Sequence, residues 1–287
     1  MPRRIWRSPR SSVTSSPTGS VSFPEAGPFG LASSRGARRT RDNLKVDIYP
    51  SLEFGTRVDA VVVTDEAARR QGVSVVFTGR DGGVSEGPYE SLNLSTATGD
   101  SEEAVRTNRS RAASALGVDA LSFAKQVHGA DVLDCDGASE GVREGDALVT
   151  TRADNGVGVL TADCVPVLVL AESGVAAIHA GWRGIVAGVV PAALARMDAP
   201  LAAWVGPSIH ACCYEVGPDV TSAFEELALP VADPWHVDPS AAVCAQLQRA
   251  GIDRIAASSL CTSCDGRFFS HRRDRVTGRQ GGFIALL

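Results

Sequence analysis

Short apolar runs closed by glycine, proline or aspartate recur along the chain from about residue 46 to its last residue. Residues 73–78 (VSVVFT) have the length and β-branched content of a buried strand. The runs at 146–150, 157–160, 165–170, 175–179, 202–205 and 283–287 read the same way. Between them the spacing changes to that of a helix. Over 101–116, Val105, Ala112, Ala113 and Leu116 fall on one face, Asp100 stands at the cap, Glu103 follows and Gly117 ends the segment. Residues 185–197 predict a second helix, kinked by Pro191. Pro218 and Pro239 suit first helical positions, before helices at 220–227 and 243–250, the latter capped by Asp238 and ended by Gly251. Residues 80–94 carry Gly82, Gly83, Gly87 and Pro88 and read as loop.

The pattern contains no repeat and no internal linker, so residues 46–287 are expected to form one domain of α/β (α+β) class. Residues 1–45 differ: they are rich in Arg, Ser, Pro and Gly without apolar periodicity, which predicts a disordered basic tail. A targeting peptide is the alternative for this segment, although Pro and Gly disfavour an amphipathic helix. The net charge of −5 hides the contrast, since the tail holds nine Lys/Arg against two Asp/Glu and the remainder is −12. An acidic body argues against nucleic acid as the partner. The longest apolar stretch, 157–182, is broken by Asp163, Pro166, Glu172 and two histidines, so no membrane span is expected. The N-terminus lacks the apolar core of a secretory signal. Seven cysteines, an odd number spread through a long chain, read as reduced thiols in a cytoplasmic protein.

Five histidines occur, and two stand in unusual company. His128, beside Gly129, reads as the end of a helix-to-strand transition. His179 ends an apolar strand just before a glycine-rich turn into a helix. Between them, Cys164 falls in the break between two apolar strands, preceded by Asp163. Strand ends are where α/β folds gather their loops. Two imidazoles and one thiolate there could hold zinc and leave a fourth position open for water or substrate. The spacings match no short metal motif. A buried free cysteine with two core histidines, and a metal-free Cys–His nucleophilic pair, therefore stand beside the zinc reading.

The segments KQVHGADV, GVGVLTADCVPVLVL, AAIHAGWRGIVAGVV, VGPSIHACCYEVGPDV and SHRRDRVTGRQGGFIAL follow one another in this order. They resemble the successive blocks of the laccase-domain, multicopper-polyphenol-oxidase-like family, also called the purine nucleoside phosphorylase or peptidoglycan editing factor family. The resemblance runs from about residue 73 to the C-terminus. It implies a layered sandwich with sheets packed between helices. It also implies a Zn(2+) site of His128, Cys164 and His179, phosphorolysis of adenosine, inosine, guanosine and methylthioadenosine, and hydrolytic deamination of adenosine. Purine nucleosides and phosphate would then be the partners. Cu(2+) could occupy such a site in vitro, because copper outcompetes zinc at most nitrogen and sulfur sites.

For the anion, Arg80 in TGRDGG, Asn93 in SLNLS and Arg183, four residues after His179, are the candidate substrate or phosphate contacts. Asp163 is a candidate catalytic group, as acceptor for a ligand histidine or as proton shuttle; the bland reading is a turn aspartate bonding its own backbone. Cys212 and Cys213 read as buried strand-end thiols. Cys261-Thr262-Ser263-Cys264 is one C-x-x-C, and one pair cannot close a structural zinc site. His271 stands where the family has tyrosine. His210 and His236 read as surface or loop residues. Two further functions stay open: a copper polyphenol oxidase, for which five histidines are few, and a cell-wall editing hydrolase with Cys164 as nucleophile.

Overall fold

Strand side chains alternate between two faces, so a strand that is apolar at every position is one covered on both sides. The computed structural model describes residues 48–58, 60–135, 140–153 and 155–287, and the basic segment 1–45 lies outside them. In chain order the elements are β1 (Glu53–Arg57), β2 (Ala60–Thr64), α1 (Glu66–Arg70), β3 (Val73–Thr78), α2 (Glu102–Leu116), β4 (Leu121–Lys125), β5 (Val132–Asp134), β6 (Glu140–Glu144), β7 (Ala147–Thr150) and β8 (Gly156–Thr161). They continue with β9 (Val165–Ala171), β10 (Gly174–Ala180), α3 (Trp182–Ala187), α4 (Val189–Leu194), β11 (Pro200–Val205), α5 (Pro218–Glu226), β12 (Val231–Asp233), β13 (His236–Val237), α6 (Pro239–Arg249), β14 (Ile255–Ala257), α7 (His271–Asp274) and β15 (Gln280–Leu286).

One sheet has the order β1-β2-β3-β15-β8-β4-β6 and the second β14-β11-β9-β10-β7-β5, with β12-β13 a separate ribbon. The central pairings are antiparallel, and β4–β8, β4–β6, β5–β7 and β11–β14 are parallel. The alternation sorts side chains into three cores. Val75 and Phe77 of β3, Leu168 and Leu170 of β9, Trp204 of β11 and Ile284 of β15 meet between the sheets. Val165, Val167 and Val169 of β9 and Ile178 of β10 face the other way, toward Ile185, Val189, Val243 and Leu247 of the helices. Val76 and Phe283 pack with Ala112 and Leu116 of α2. The order is thus helix, sheet, sheet, helices, the layered sandwich that the resemblance implied. No helix among the described residues is long and apolar enough to cross a membrane.

The strands at 73–78, 202–205 and the C-terminus lie where the apolar pattern put them, and so do the helical starts at Pro218 and Pro239. Asp238 caps α6 through the Ala241 N–H. Two details differ. Ser101, not Asp100, caps α2 by accepting from the Ala104 N–H, while Asp100 accepts from Ser101 itself. The segment around Pro191 is not one kinked helix. It is α3 and α4, separated at Gly188, whose φ of +82° ends the first helix. Pro191 falls in the first turn of α4, where its missing N–H has no helical partner to lose.

Candidate metal centre

His128, Cys164 and His179 converge, with their ligand atoms all within 4.8 Å of one another. Their positions come from three separate stretches of the chain. His179 sits in β10, opposite Pro166 of β9, and by alternation points toward the face between the sheets. Cys164 occupies the short break between β8 and β9, beside Asp163, whose φ is +97°. His128, with φ +62°, lies in the loop after β4. The segment before it is a strand rather than the helix expected from sequence. Gln126 fixes this loop by a reciprocal pair of hydrogen bonds to the backbone of Leu160, donating at 2.7 Å and accepting at 2.8 Å.

The group that organises the ligands is Asp146, which is fully buried at the start of β7. Its Oδ1 lies 2.8 Å from His179 Nδ1 and accepts from the His128 N–H at 2.9 Å. Its Oδ2 accepts from the N–H groups of Gly129 at 2.7 Å and Val127 at 3.2 Å. One carboxylate therefore holds the loop that carries one ligand and fixes the ring of another. A carboxylate on the far nitrogen sets the tautomer of a metal-binding histidine and leaves Nε2 for the ion. The sequence offers Asp163 for that role, or for a proton shuttle. In the structure Asp163 instead accepts from the Thr262 hydroxyl and the Arg272 N–H, each at 2.7 Å, and contacts no histidine. The available signal for Asp146 was a lone acidic residue opening an apolar strand.

The donor set fits a zinc-like ion. The His128 Nε2 to Cys164 Sγ distance is 3.8 Å. Two atoms on adjacent corners of a tetrahedral zinc site, at roughly 2.0 and 2.3 Å from the metal, stand about 3.5 Å apart. The two imidazoles meet edge to face with centroids 4.8 Å apart, so neither ring stacks over the other. Electrostatics point the same way. Burial pushes the Cys164 thiol up, but the charge of His179 and the hydrogen bond of His128 bring it down to about 6. Burial pulls His179 down, and the Cys164 charge with the Asp146 hydrogen bond raise it to about 9. Each of the two groups thus favours the charged form of the other, and a divalent cation at this point would take the place of the shared proton.

Gly181 closes the other side. A Cβ there would lie 2.8 Å from His128 Cδ2 and 3.2 Å from Cys164 Sγ. Gly181→Ala is therefore expected to displace one of these side chains and to weaken metal binding at least about tenfold. Competition against a chelating dye measures this, and unchanged affinity would refute it.

The three residues open into a cavity of about 300 Å³, also lined by Ser95, Thr96, Arg109, Phe123, Lys125, Gln126, Leu160, Thr161 and Arg279. Among the described residues no carboxylate lines it. Lys125 pairs with Glu144 at 2.9 Å, and Arg109 stacks over Phe123 while donating to the Leu94 carbonyl. Arg279 is half-buried, and its guanidinium donates to the carbonyls of Thr277 and Gly278. Burial pulls its guanidinium down, against the charges of Cys164 and Asp163. Thr161 Oγ1 is buried with no hydrogen-bond partner among the described residues.

The arginines chosen from sequence lie elsewhere. Arg80 donates to the Glu90 carbonyl and stacks over Phe269. Arg183 is exposed over Trp182. Neither lines the cavity. Asn93 is fully buried and its amide is used within the protein: it donates to Ser95, Thr98 and Asp100 and accepts from the Ser95 and Arg279 N–H groups. It positions the backbone of Arg279 and has no face toward a ligand. His210 and His236 pair with Asp238 and Asp233, each at 3.0 Å, and His271 bonds the Arg275 carbonyl at the start of α7. Cys212 is exposed and Cys213 half-buried, so they are not the buried thiols expected, and they approach Cys261 and Cys264.

Comparison with known proteins agrees with this architecture. Residues 74–287 match the family described as multi-copper polyphenol oxidoreductase laccase. A Streptomyces coelicolor protein named purine nucleoside phosphorylase is 46% identical over 228 residues, covering 73% of this chain and 94% of its own. The Escherichia coli protein of the same name, YfiH, is 37% identical over 231 residues, covering 76% of this chain and 95% of its own. Among solved structures, Bacillus licheniformis hypothetical protein YfiH superposes with a TM-score of 0.73 at 31% identity, covering 82% of this chain and 99% of that one. Sequence blocks, layered sandwich and the match across residues 74–287 lead to one conclusion: the chain belongs to the multi-copper polyphenol oxidoreductase laccase family.

Proposed function

We propose that the protein is a zinc-dependent purine nucleoside phosphorylase that also deaminates adenosine. The observation that carries the reading is the pairing of a two-imidazole, one-thiolate donor set with a cavity lined by Arg109, Arg279 and Lys125 and by no carboxylate. The names of the relatives support it. A half-buried cation bonded to backbone carbonyls favours an incoming anion. Arg279, with Arg109 across the cavity, is assigned to phosphate, and Thr161 Oγ1 supplies a hydroxyl to the phosphate or ribose. Phe123 and Leu160 offer apolar surface to the base.

In phosphorolysis a phosphate oxygen forms a bond to ribose C1′ as the bond from C1′ to the purine nitrogen breaks. The base leaves with the electron pair and takes a proton, so positive charge gathers on the sugar and negative charge on the base. The arginines hold the nucleophile at the reacting carbon, which removes the entropy of bringing it there. His128, Cys164 and His179 would hold the metal, with Asp146 fixing the ring of His179. When bound, zinc supplies a Lewis acid with one open position. The same donor set would serve hydrolytic deamination at purine C6, a second reaction of the bound nucleoside.

Purified protein incubated with adenosine and phosphate is expected to release adenine and ribose 1-phosphate, and a smaller amount of inosine. Product formation no greater than that of a His179→Ala control would overturn the reading. Arg279→Ala is expected to raise the phosphate KM roughly 10- to 100-fold, the loss of one charge-assisted hydrogen bond, with little change in nucleoside KM. Equal effects on both substrates would remove Arg279 from phosphate binding.

A second reading has one specific support. The thiolate–imidazolium pair of Cys164 and His179 is also the arrangement of a cysteine hydrolase, including a cell-wall editing enzyme. Chelation separates the two, because a metal-free thiol nucleophile keeps its activity when zinc is stripped. A copper polyphenol oxidase, the other reading of the family description, would need several coppers, and five histidines are few for that. An odd number of cysteines, seven, spread through a long chain suits the proposed cytoplasmic setting.

A further inference from the structure

We propose that Cys212, Cys213, Cys261 and Cys264 bind a second, structural zinc ion through four thiolates. The four sulfur atoms all lie within 4.8 Å of one another. Cys264 Sγ is 3.2 Å from Cys213 Sγ and 3.6 Å from Cys212 Sγ. A tetrahedral zinc with sulfurs at about 2.3 Å has them about 3.8 Å apart along each edge. A disulfide would need a pair at roughly 2.05 Å. One sulfur with two near neighbours is the geometry of a shared ion rather than of two bridges.

The fold explains how residues 48 or more positions apart along the chain arrive together. β11 and β14 are parallel neighbours, and their pairing continues beyond the sheet as a bridge between Ser208 and Cys261. The Thr262 N–H donates to the Ser208 carbonyl at 3.0 Å. The chain leaving β11 thus runs beside the chain leaving β14. The first carries the adjacent Cys212-Cys213, and the second carries the C-x-x-C. Free cysteine is among the most buried residue types, whereas Cys212 and Cys264 are exposed.

The position gives the ion a task. Residues 206–217 and 258–270 contain no helix or strand of their own, and such segments need a tie to hold one conformation. They also build the wall behind the first metal site. Thr262 donates to Asp163, the neighbour of Cys164, and so does the Arg272 N–H. Arg272 in turn donates to the Glu215 carbonyl and stacks over Tyr214. Zinc uptake would release the thiol protons to solvent and join the two segments at one point.

The experiment is metal analysis of the full-length protein, purified with reductant and zinc-replete. Wild type is expected to carry two zinc ions per chain, and His179→Ala and the double variant Cys261→Ser/Cys264→Ser one each. In His179→Ala loaded with cobalt(II), the remaining ion is expected to show the strong thiolate-to-cobalt absorption of a four-sulfur site. This holds even if the cysteine variant fails to fold. A single zinc in wild type, lost in His179→Ala, would overturn the proposal. So would two zinc ions in the cysteine variant, copper as the bound metal at the four thiols, or a Cys213–Cys264 disulfide in alkylated, freshly purified protein. Because the readout is metal content, the result stands apart from whether the enzyme acts on nucleosides.

Discussion

His179→Ala is expected to reduce phosphorolysis to background and to empty the first metal site while leaving the fold intact. The side chain supplies one of three ligands, and its loss leaves His128 and Cys164, too few donors to hold a catalytic zinc tightly. Changes to residues merely behind the ligands cost about 10- to 100-fold in affinity or activity, so removal of a ligand should exceed roughly 100-fold. Folding should survive. Asp146 keeps the N–H groups of Val127, His128 and Gly129, and the cores around Trp204, Val243 and Phe283 are untouched. Activity, zinc content and thermal unfolding measured on one preparation check all three points. Native-like unfolding with full activity would remove His179 from the chemistry. Cys164→Ser is expected to behave alike, and added zinc should not rescue it.

Asp146→Ala should have the second largest effect, and it should act on stability as well as on the site. The carboxylate is fully buried and bonds three backbone N–H groups and one imidazole. Removing it leaves those donors unpaired, at a cost of about 3–5 kcal/mol, the range for breaking a buried ion pair. For a domain of this size that is roughly 6–20 °C in Tm. The His128 loop and the His179 ring both lose their anchor, so zinc affinity should fall by about 10- to 100-fold. Asp146→Asn keeps the volume and one acceptor, and should lose less stability while retaining the metal defect. A Tm within experimental scatter of wild type for Asp146→Ala would show that the N–H groups find other partners. The pH dependence has a defined sign. Burial raises the Asp146 pKa, but the hydrogen bonds from His179, Gly129 and Val127 more than offset it, and the group lies below its ordinary value. Its contribution to stability is therefore complete above the unfolded carboxylate range, near 4, and fades as pH falls through the lower folded value.

Much of this architecture was legible from local pattern. Residues 73–78 and 165–171 are apolar at nearly every position because both of their faces are covered, and that imprint does not depend on which partners cover them. The caps at Asp238 and Gly117, and the proline starts at 218 and 239, are likewise local chemistry. The ligand histidines and Cys164 stood out because each interrupts or ends such a run. Arginine was harder to place. Arg80 and Arg183 sit in glycine-rich turns near site residues in sequence, but their long side chains bond and stack away from the cavity. Arg279 also lies among glycines, Gly278, Gly281 and Gly282, but far in sequence from the three ligand candidates, and Asn93 holds its backbone at the site.

The sequence by itself determined several central strands, the helices α2, α5 and α6, the two-sided burial of those strands and the three residues that could ligate a metal. These depend on side-chain period and residue type within a few positions. Only the tertiary structure decided that Asp146 rather than Asp163 supports His179, and that Arg279 rather than Arg80 or Arg183 faces the cavity. It also decided that two cysteine pairs from separate loops meet as four. Each of these joins residues far apart in the chain, through strand order and register, and no local periodicity carries that information.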